Sequence, residues 1–104
     1  MMERHRSGEQ RRHQRITAGF VTEVFERNAL AGRFMSRNVS AGGMFLETGS
    51  TFLAHGGDIK LNVVVFGDKY PMRGKVVRHG PGGVGIKVSH VNPLYYRALM
   101  SMVG

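Results

Sequence analysis

The stretch that decides the fold runs from residue 58 to residue 88 and reads DIKLNVVVFGDKYPMRGKVVRHGPGGVGIKV. Its first part, Asp58–Phe66, alternates apolar and other residues, as a strand with one face toward a core does. The apolar face of this predicted strand consists of Ile59, Leu61, Val63 and Val65. Apolar residues that recur at every second position from Asp58 to Phe66 indicate β-structure.

Glycine and proline divide the rest of this stretch into turns and strands. The Gly67–Asp68 pair predicts a tight hairpin turn. Tyr70–Arg78 is the next predicted strand, interrupted near Pro71 because proline cannot donate to a ladder. The cluster Gly80–Gly83 predicts another turn, and alternation in Val84–Val88 predicts the last strand.

The chain before this stretch also favours short strands. Ile16–Phe25 is rich in β-branched and aromatic residues that alternate between two faces, and Arg33–Asn38 and Met44–Glu47 follow as shorter strands. Thr48–Gly57 is predicted to be a glycine-containing loop. Several short strands separated by turn signals predict a small antiparallel barrel.

After the last strand the sequence predicts a short helix. Asn92 is suited to the N-cap and Pro93 to the first helical position. The apolar residues that fall on one face of this helix are Leu94, Tyr95, Ala98, Leu99 and Met102. Because so short a helix is marginal alone, we expect it to dock on the sheet and close one end of the core.

Composition limits the possible functions. The 104 residues suffice for one domain with a modest core, and the absence of cysteine excludes disulfides, thiolate catalysis and cysteine-based zinc sites. No apolar run has the length of a membrane span, and no secretory signal is present, so we expect a cytoplasmic protein without membrane insertion.

The net charge of +8 comes mainly from arginine, with 11 arginines against 4 lysines. Arginine suits phosphates and guanine edges, although solubility explains the charge equally well on composition alone.

Two short motifs supply candidate binding groups. Arg11 and Arg15 lie where a basic, polar arm meets the first strand, and their side chains can converge on one ligand. Asn38 and Ser40 carry short hydrogen-bonding groups, and Gly43 permits close approach of a ligand to the backbone. Each motif alone has an ordinary interpretation, as a solvated tail or a strand connection. Together they indicate a site for a compact ligand that carries phosphates and bases.

In this order and in a short β-rich chain, the motifs resemble those of the PilZ domain family, the bacterial receptor modules for cyclic di-GMP. That family pairs RxxxR, often RRxxxR, with [D/N]xSxxG at a strand junction. Arg11 and Arg15 match the first motif, and Asn38, Ser40 and Gly43 match the second. The resemblance extends from the arm to the C-terminal helix.

The resemblance implies an all-β fold, a six-stranded antiparallel β-barrel (a PilZ-like split barrel) with a short C-terminal α-helix. This domain would occupy residues 15–104, after a flexible basic arm of residues 1–14. Gln10 stands where the doubled motif has arginine, and Arg12 can compensate. Arg78 takes the place of an aromatic residue that many members carry near the bound base.

The resemblance also implies a role for each matched residue. The arm arginines would contact the phosphates and guanine Hoogsteen edges, Asn38 and Ser40 would hold a guanine edge, and Gly43 would leave room for the ligand. The residues thereby implied in cyclic di-GMP binding are Arg11, Arg12, Arg15, Asn38, Ser40, Gly43 and Arg78.

The function implied is that of a non-enzymatic, stand-alone PilZ receptor in second-messenger signalling, with cyclic di-GMP as ligand and no other cofactor. Ligand binding would order the arm and change the surface offered to a downstream protein, which the sequence does not identify. Two alternatives stay open: a PilZ-like protein-interaction module without a nucleotide, and a small basic barrel that binds RNA or single-stranded DNA. The aromatic residues lie mostly among apolar neighbours, which argues against nucleic acid.

The histidines lack metal-ligand spacing, and Ser40 has no His/Asp partners, so neither a metal site nor catalysis is predicted.

Overall fold

The computed structural model describes residues 19–103. Its elements are β1 (Phe20–Glu26), β2 (Ala29–Ser40), β3 (Gly43–Glu47), β4 (Asp58–Val65), β5 (Asp68–Gly80), β6 (Gly83–His90) and the helix α1 (Pro93–Val103). The strands form a closed antiparallel barrel in the order β1-β2-β3-β6-β5-β4, in which β4 pairs again with β1. The predicted fold class, a six-stranded antiparallel barrel with a short C-terminal helix, is confirmed.

The barrel interior is filled by the alternating apolar residues of the strands. On β4 the predicted face, from Ile59 to Val65, is buried throughout. The opposite wall carries Leu46 on β3 and Val84 on β6, which are also almost fully buried. Because each strand turns every second side chain inward, the intervening residues form the outer surface on which the charged groups stand.

Two of the hairpin turns have positive φ at both central residues, the geometry of a type I′ turn that matches the twist of the strands. Arg27 and Asn28 form the turn between β1 and β2, with φ of 51° and 67°. Phe66 and Gly67 form the turn between β4 and β5, with φ of 51° and 85°. The predicted Gly67–Asp68 turn is therefore wrong by one position, since Asp68 already pairs with Val65 in the ladder.

The predicted interruption at Pro71 is also wrong. Pairing of β4 with β5 is continuous from Asp58↔Lys75 to Val65↔Asp68 and includes Asn62↔Pro71. The Pro71 carbonyl accepts a hydrogen bond from Asn92 Nδ2 at 3.3 Å, on the side away from β4. The N and O of one strand residue point the same way, so the missing N–H also lies on the side that β4 does not use.

The helix α1 closes the core as expected. The Asn92 side chain accepts hydrogen bonds from the backbone N–H groups of Leu94 (2.9 Å) and Tyr95 (3.3 Å), which confirms it as the N-cap. Tyr95 and Leu99 are fully buried in the same cluster as the barrel interior. Leu94, predicted on the packed face, is 61% exposed, because it is turned by about 100° around the helix from the inward-facing Tyr95. Within residues 19–103, no helix has the length and apolar character needed to cross a membrane.

Candidate functional site

A groove of about 950 Å³ lies on the outside of the barrel, where the β2–β3 turn faces β5 and β6. Asn38, Ser40 and Gly43 of the second motif line one side of it, and Arg78 of β5 lines the other. The fold therefore brings together the four predicted site residues that lie in the described part of the chain. The other three, Arg11, Arg12 and Arg15, lie outside the described residues.

The motif side of the groove is shaped by an irregularity at the end of β2. Asn38 has a φ of 52°, a left-handed conformation that asparagine adopts more readily than most residues. The β2–β3 pairing shifts register between Arg37 and Ser40 at this point. The buried Ser40 then donates a hydrogen bond from Oγ to the carbonyl oxygen of Gly43 at 3.4 Å. The motif polar groups thus sit on a bent, internally bonded strand junction.

Gly43 is required by the barrel itself. A Cβ at this position would lie 2.7 Å from the carbonyl oxygen of Ile86, a backbone atom of β6. Gly43 pairs with Lys87 across the β3–β6 ladder, and the two strands approach too closely for a side chain. The absence of a side chain also leaves the groove floor open, so the glycine has a structural reason beside the implied ligand-binding one.

Arg78 reaches the groove because of a bulge in β5. Val76 pairs with Ile86 and Arg78 with Gly85, which leaves Val77 as the extra residue. Met72 and Val76 point inward, so strict alternation would have turned Arg78 into the core. The bulge moves Arg78 to the outer surface, where its Cγ and Nε lie 2.9 Å from where a Cβ of Gly85 would be. The arginine side chain thus lies across a glycine.

The groove is positively charged. Arg78 and Lys87 are exposed and line it, and no carboxylate lines it among the residues of the described chain. Phe45, half-buried on the same wall, lies under the guanidinium of Arg37, whose Cζ is 5.1 Å from the ring centroid. Arg37 also forms an ion pair with Glu47. An anionic ligand with flat rings would meet both cations and a planar surface here.

Lys87 and Phe45 also line the groove, and neither was predicted as a site residue from the sequence. The alternation of each strand held the signal: Met44 and Leu46 are buried, so Phe45 between them faces outward. Lys87 lies in the same way between inward-facing residues of β6. Phe45 follows Gly43 by two residues on β3, whereas Lys87 lies beside the motif only because β6 pairs with β3, which alternation does not give.

Two of the three histidines in residues 19–103, His55 and His79, contact the backbone. Nε2 of His55 lies 3.0 Å from the Val77 carbonyl oxygen, and Nε2 of His79 lies 2.8 Å from that of Leu53. In residues 19–103 no three His, Asp or Glu side chains are grouped so as to hold a metal ion. These two histidines attach the β3–β4 loop to β5.

Comparison with known proteins gives a family match and two structural similarities. The model of the PilZ domain family matches residues 9–103. The crystal structure of the PilZ domain of CeSA from a cellulose-synthesizing bacterium is similar at a TM-score of 0.66 and 17% identity, covering 86% of this chain and 94% of that one. The inhibitor of motility MotI/DgrA of Bacillus subtilis is similar at a TM-score of 0.70 and 17% identity. That match covers 86% of this chain and 47% of MotI/DgrA, so the chain spans about half of that protein. A search of curated proteins finds no match.

Proposed function

The chain belongs to the PilZ domain family, and we propose that it is a cyclic di-GMP receptor that signals to a protein partner. PilZ domains are receptor and adaptor modules rather than enzymes. The observation that carries the proposal is the shared groove: Asn38, Ser40 and Gly43 of the motif line one basic concavity with Arg78, which comes 35 residues later in the sequence.

The chemistry of the groove suits this ligand. Cyclic di-GMP carries two negative phosphates and two flat guanines with acceptor-rich Hoogsteen edges. Arg78, spread over Gly85, offers a planar guanidinium that stacks on a guanine, and Lys87 offers a point charge for a phosphate. Asn38 and Ser40 hydrogen-bond a guanine edge at the strand junction.

The arm completes the site in this proposal. Arg11, Arg12 and Arg15 contact the phosphates and the second guanine, and residues 1–14 become ordered over the barrel of residues 15–104. Ordering the arm changes the surface that the barrel offers to a partner, and this change passes on the signal. We infer a bacterial, cytoplasmic adaptor for second-messenger signalling, acting through a downstream protein.

Calorimetric titration with cyclic di-GMP tests the proposal. We expect binding at micromolar nucleotide for the wild type. Arg15→Ala should weaken it by roughly ten- to a hundred-fold, the cost of one hydrogen bond to a charged group, about 1.5–3 kcal/mol. Arg78→Ala should weaken it by roughly two- to thirty-fold, the cost of one stacked cation, about 0.5–2 kcal/mol. Arg97→Ala removes the same charge from the exposed side of α1 and should change the affinity by less than about twofold.

Two results would refute the proposal. One is the absence of binding at tens of micromolar nucleotide, which would favour the alternative of an interaction module without a nucleotide. The other is an equal loss of affinity in the Arg78→Ala and Arg97→Ala proteins, which would mean that the overall charge and not the groove attracts the ligand. A parallel titration with a single-stranded oligonucleotide at increasing salt tests the nucleic-acid alternative, since non-specific binding to nucleic acid falls steeply with salt.

A further inference from the structure

A second groove, of about 740 Å³, lies on another face of the barrel, between the outer surfaces of β1, β4 and β5 and the segment that leads into α1. It shares no lining residue with the groove that contains Asn38 and Arg78. The family resemblance and the proposed function assign nothing to it. We call it the helix-side groove.

Two cations, Lys60 and Arg73, and one histidine, His90, stand side by side along the helix-side groove. Lys60 on β4 pairs with Arg73 on β5, and Arg73 pairs with His90 on β6, so these residues are cross-strand neighbours on the outer surface. We call them the basic row. Like charges directly opposite each other in a sheet are destabilising, so this arrangement has a cost in the isolated chain.

Nothing in the described chain neutralises the basic row. No carboxylate lines the helix-side groove in residues 19–103. Lys60 hydrogen-bonds only to the neutral side chain of Asn28, from Nζ to Oδ1 at 3.2 Å. Glu23 is held by Arg33 and Lys69, and Asp58 pairs with Lys75. Glu26, next to Phe25 on β1, does not line the groove. Within residues 19–103 the basic row is therefore left open to a complementary anion from another molecule.

Half of the residues that line the helix-side groove are apolar. Phe25 on β1 is the cross-strand neighbour of Lys60, at the end of the basic row, and is half-buried. Pro71, Val91 and Pro93 also line the groove, and Val91 is 38% exposed. A phosphate or a small inorganic ion would use the cations and leave these apolar surfaces in water. A ligand that covers both must carry acidic and apolar groups together.

The groove is preformed. Asn92 caps α1 through Oδ1 and donates from Nδ2 to the carbonyl of Pro71, so one side chain fixes the start of the helix to β5. A rigid groove needs little rearrangement on binding, which favours a peptide segment docking from outside.

We propose that the helix-side groove docks an acidic segment of a partner protein. Carboxylates of the segment lie over Lys60 and Arg73, and one apolar side chain inserts against Phe25 and Pro71. A second copy of this chain fits poorly, because each copy carries a net charge of +8 and would repel the other. Arg73 and Arg78 are separated along β5 by about 17 Å, at about 3.4 Å a residue, and the two grooves share no lining residue.

The test uses the whole chain and a short synthetic peptide of glutamates around one central phenylalanine. Backbone amide shifts in ¹⁵N-labelled protein are followed during titration, with a peptide of glutamines around the same phenylalanine as control. We expect the shifts to concentrate at Lys60, Arg73 and His90, and the glutamine peptide to give none. Arg73→Glu should weaken binding by at least about tenfold, since like charges then face each other, while Arg97→Glu, the same charge change outside the groove, should weaken it by less than about twofold.

Several outcomes would overturn the proposal. One is a set of amide shifts spread over the whole surface. Others are an equal loss of peptide affinity in the Arg73→Glu and Arg97→Glu proteins, or an unchanged affinity in Arg73→Glu. The last is binding of a single-stranded oligonucleotide, but not of the acidic peptide, in this groove. The amide spectrum of each variant reports its folding. If Arg73→Glu is misfolded, Arg73→Gln takes its place, with a loss of at least about threefold expected. Cyclic di-GMP titration of the same variants separates this proposal from the previous one. If the peptide does not bind, nucleotide binding can still be measured, and if the nucleotide does not bind, peptide binding can still be measured.

Discussion

Replacing Gly43 with alanine should destabilise the barrel even when no nucleotide is present. The added Cβ would lie 2.7 Å from the Ile86 carbonyl oxygen, closer than carbon and oxygen approach in folded proteins. That oxygen belongs to the β6 backbone, which cannot rotate away as a side chain would. The β3–β6 pair must therefore separate locally, along the ladder where Gly43 faces Lys87.

The size of the effect follows from the cost of overpacking. Forcing backbone shifts in a well-packed structure costs typically about 1–3 kcal/mol. In a domain of this size 1 kcal/mol lowers Tm by about 4–8 °C, so a loss near the middle of the range lowers it by about 8–16 °C. Gly42→Ala is the matched control, because a Cβ there meets no atom within 4 Å and its φ is not positive. That variant should be neutral or more stable by up to about 1 kcal/mol, since alanine restricts the unfolded chain.

The assay is thermal and urea unfolding followed by circular dichroism, without nucleotide, for the wild type, Gly43→Ala and Gly42→Ala. A Gly43→Ala protein that unfolds at the wild-type urea concentration would refute the reasoning. It would mean that the β3–β6 strands accommodate a side chain freely and that the glycine serves the ligand alone. A Gly42→Ala protein that is equally destabilised would also refute it, because the effect would then belong to the turn and not to the close contact.

Three further predictions concern single side chains. Hydrogen bonds from Asn62 and then Lys69 hold the pKa of Glu23 below its usual value of 4.5. The ionised Glu23 therefore contributes stability above pH 4.5, and this contribution is lost as the pH falls through the lower pKa of the folded protein. In the Glu23→Gln protein the free energy of unfolding in urea should consequently depend less steeply on pH in the acid range. Tyr95→Phe should raise the free energy of unfolding or leave it unchanged in urea titrations, because the buried Tyr95 hydroxyl has no hydrogen-bond partner among the described residues. Gly85→Ala should displace the Arg78 side chain, and should lower cyclic di-GMP affinity in calorimetry about as much as Arg78→Ala while Tm changes little; wild-type affinity in this variant would contradict the placement of Arg78.

Much of the secondary structure was predictable because it depends on neighbours in sequence. The alternation from Ile59 to Val65 gave a strand and its buried face, and Asn92 followed by Pro93 gave the start of the helix. The errors at Pro71 and at Gly67–Asp68 arose where a local rule depends on pairing. Proline interrupts a strand only if the missing N–H is on a paired side, and the turn position depends on which residues of the two strands face each other.

The candidate site was predictable in part. The sequence alone singled out Asn38, Ser40 and Gly43 as one motif and favoured Arg78 through the family resemblance. Lys87 escaped notice because its place beside the motif depends on β3 pairing with β6, a contact between segments far apart in the chain. Phe45 is only two residues from Gly43 on β3, but it was interpreted simply as part of an apolar strand. The roles of the three arm arginines stay predictions.

The sequence by itself determined that this chain forms short strands with one buried face, turns at its glycines and a capped helix, because these depend on residue type and on spacings of a few residues. It also determined the family through two short motifs. Only the tertiary structure decided which outward-facing residues share a groove. The bulge at Val77 turns Arg78 outward, and the strand order sets it across from Asn38. It also lines up Lys60 with Arg73, because cross-strand register is fixed by the packing of the closed barrel and not by the local pattern.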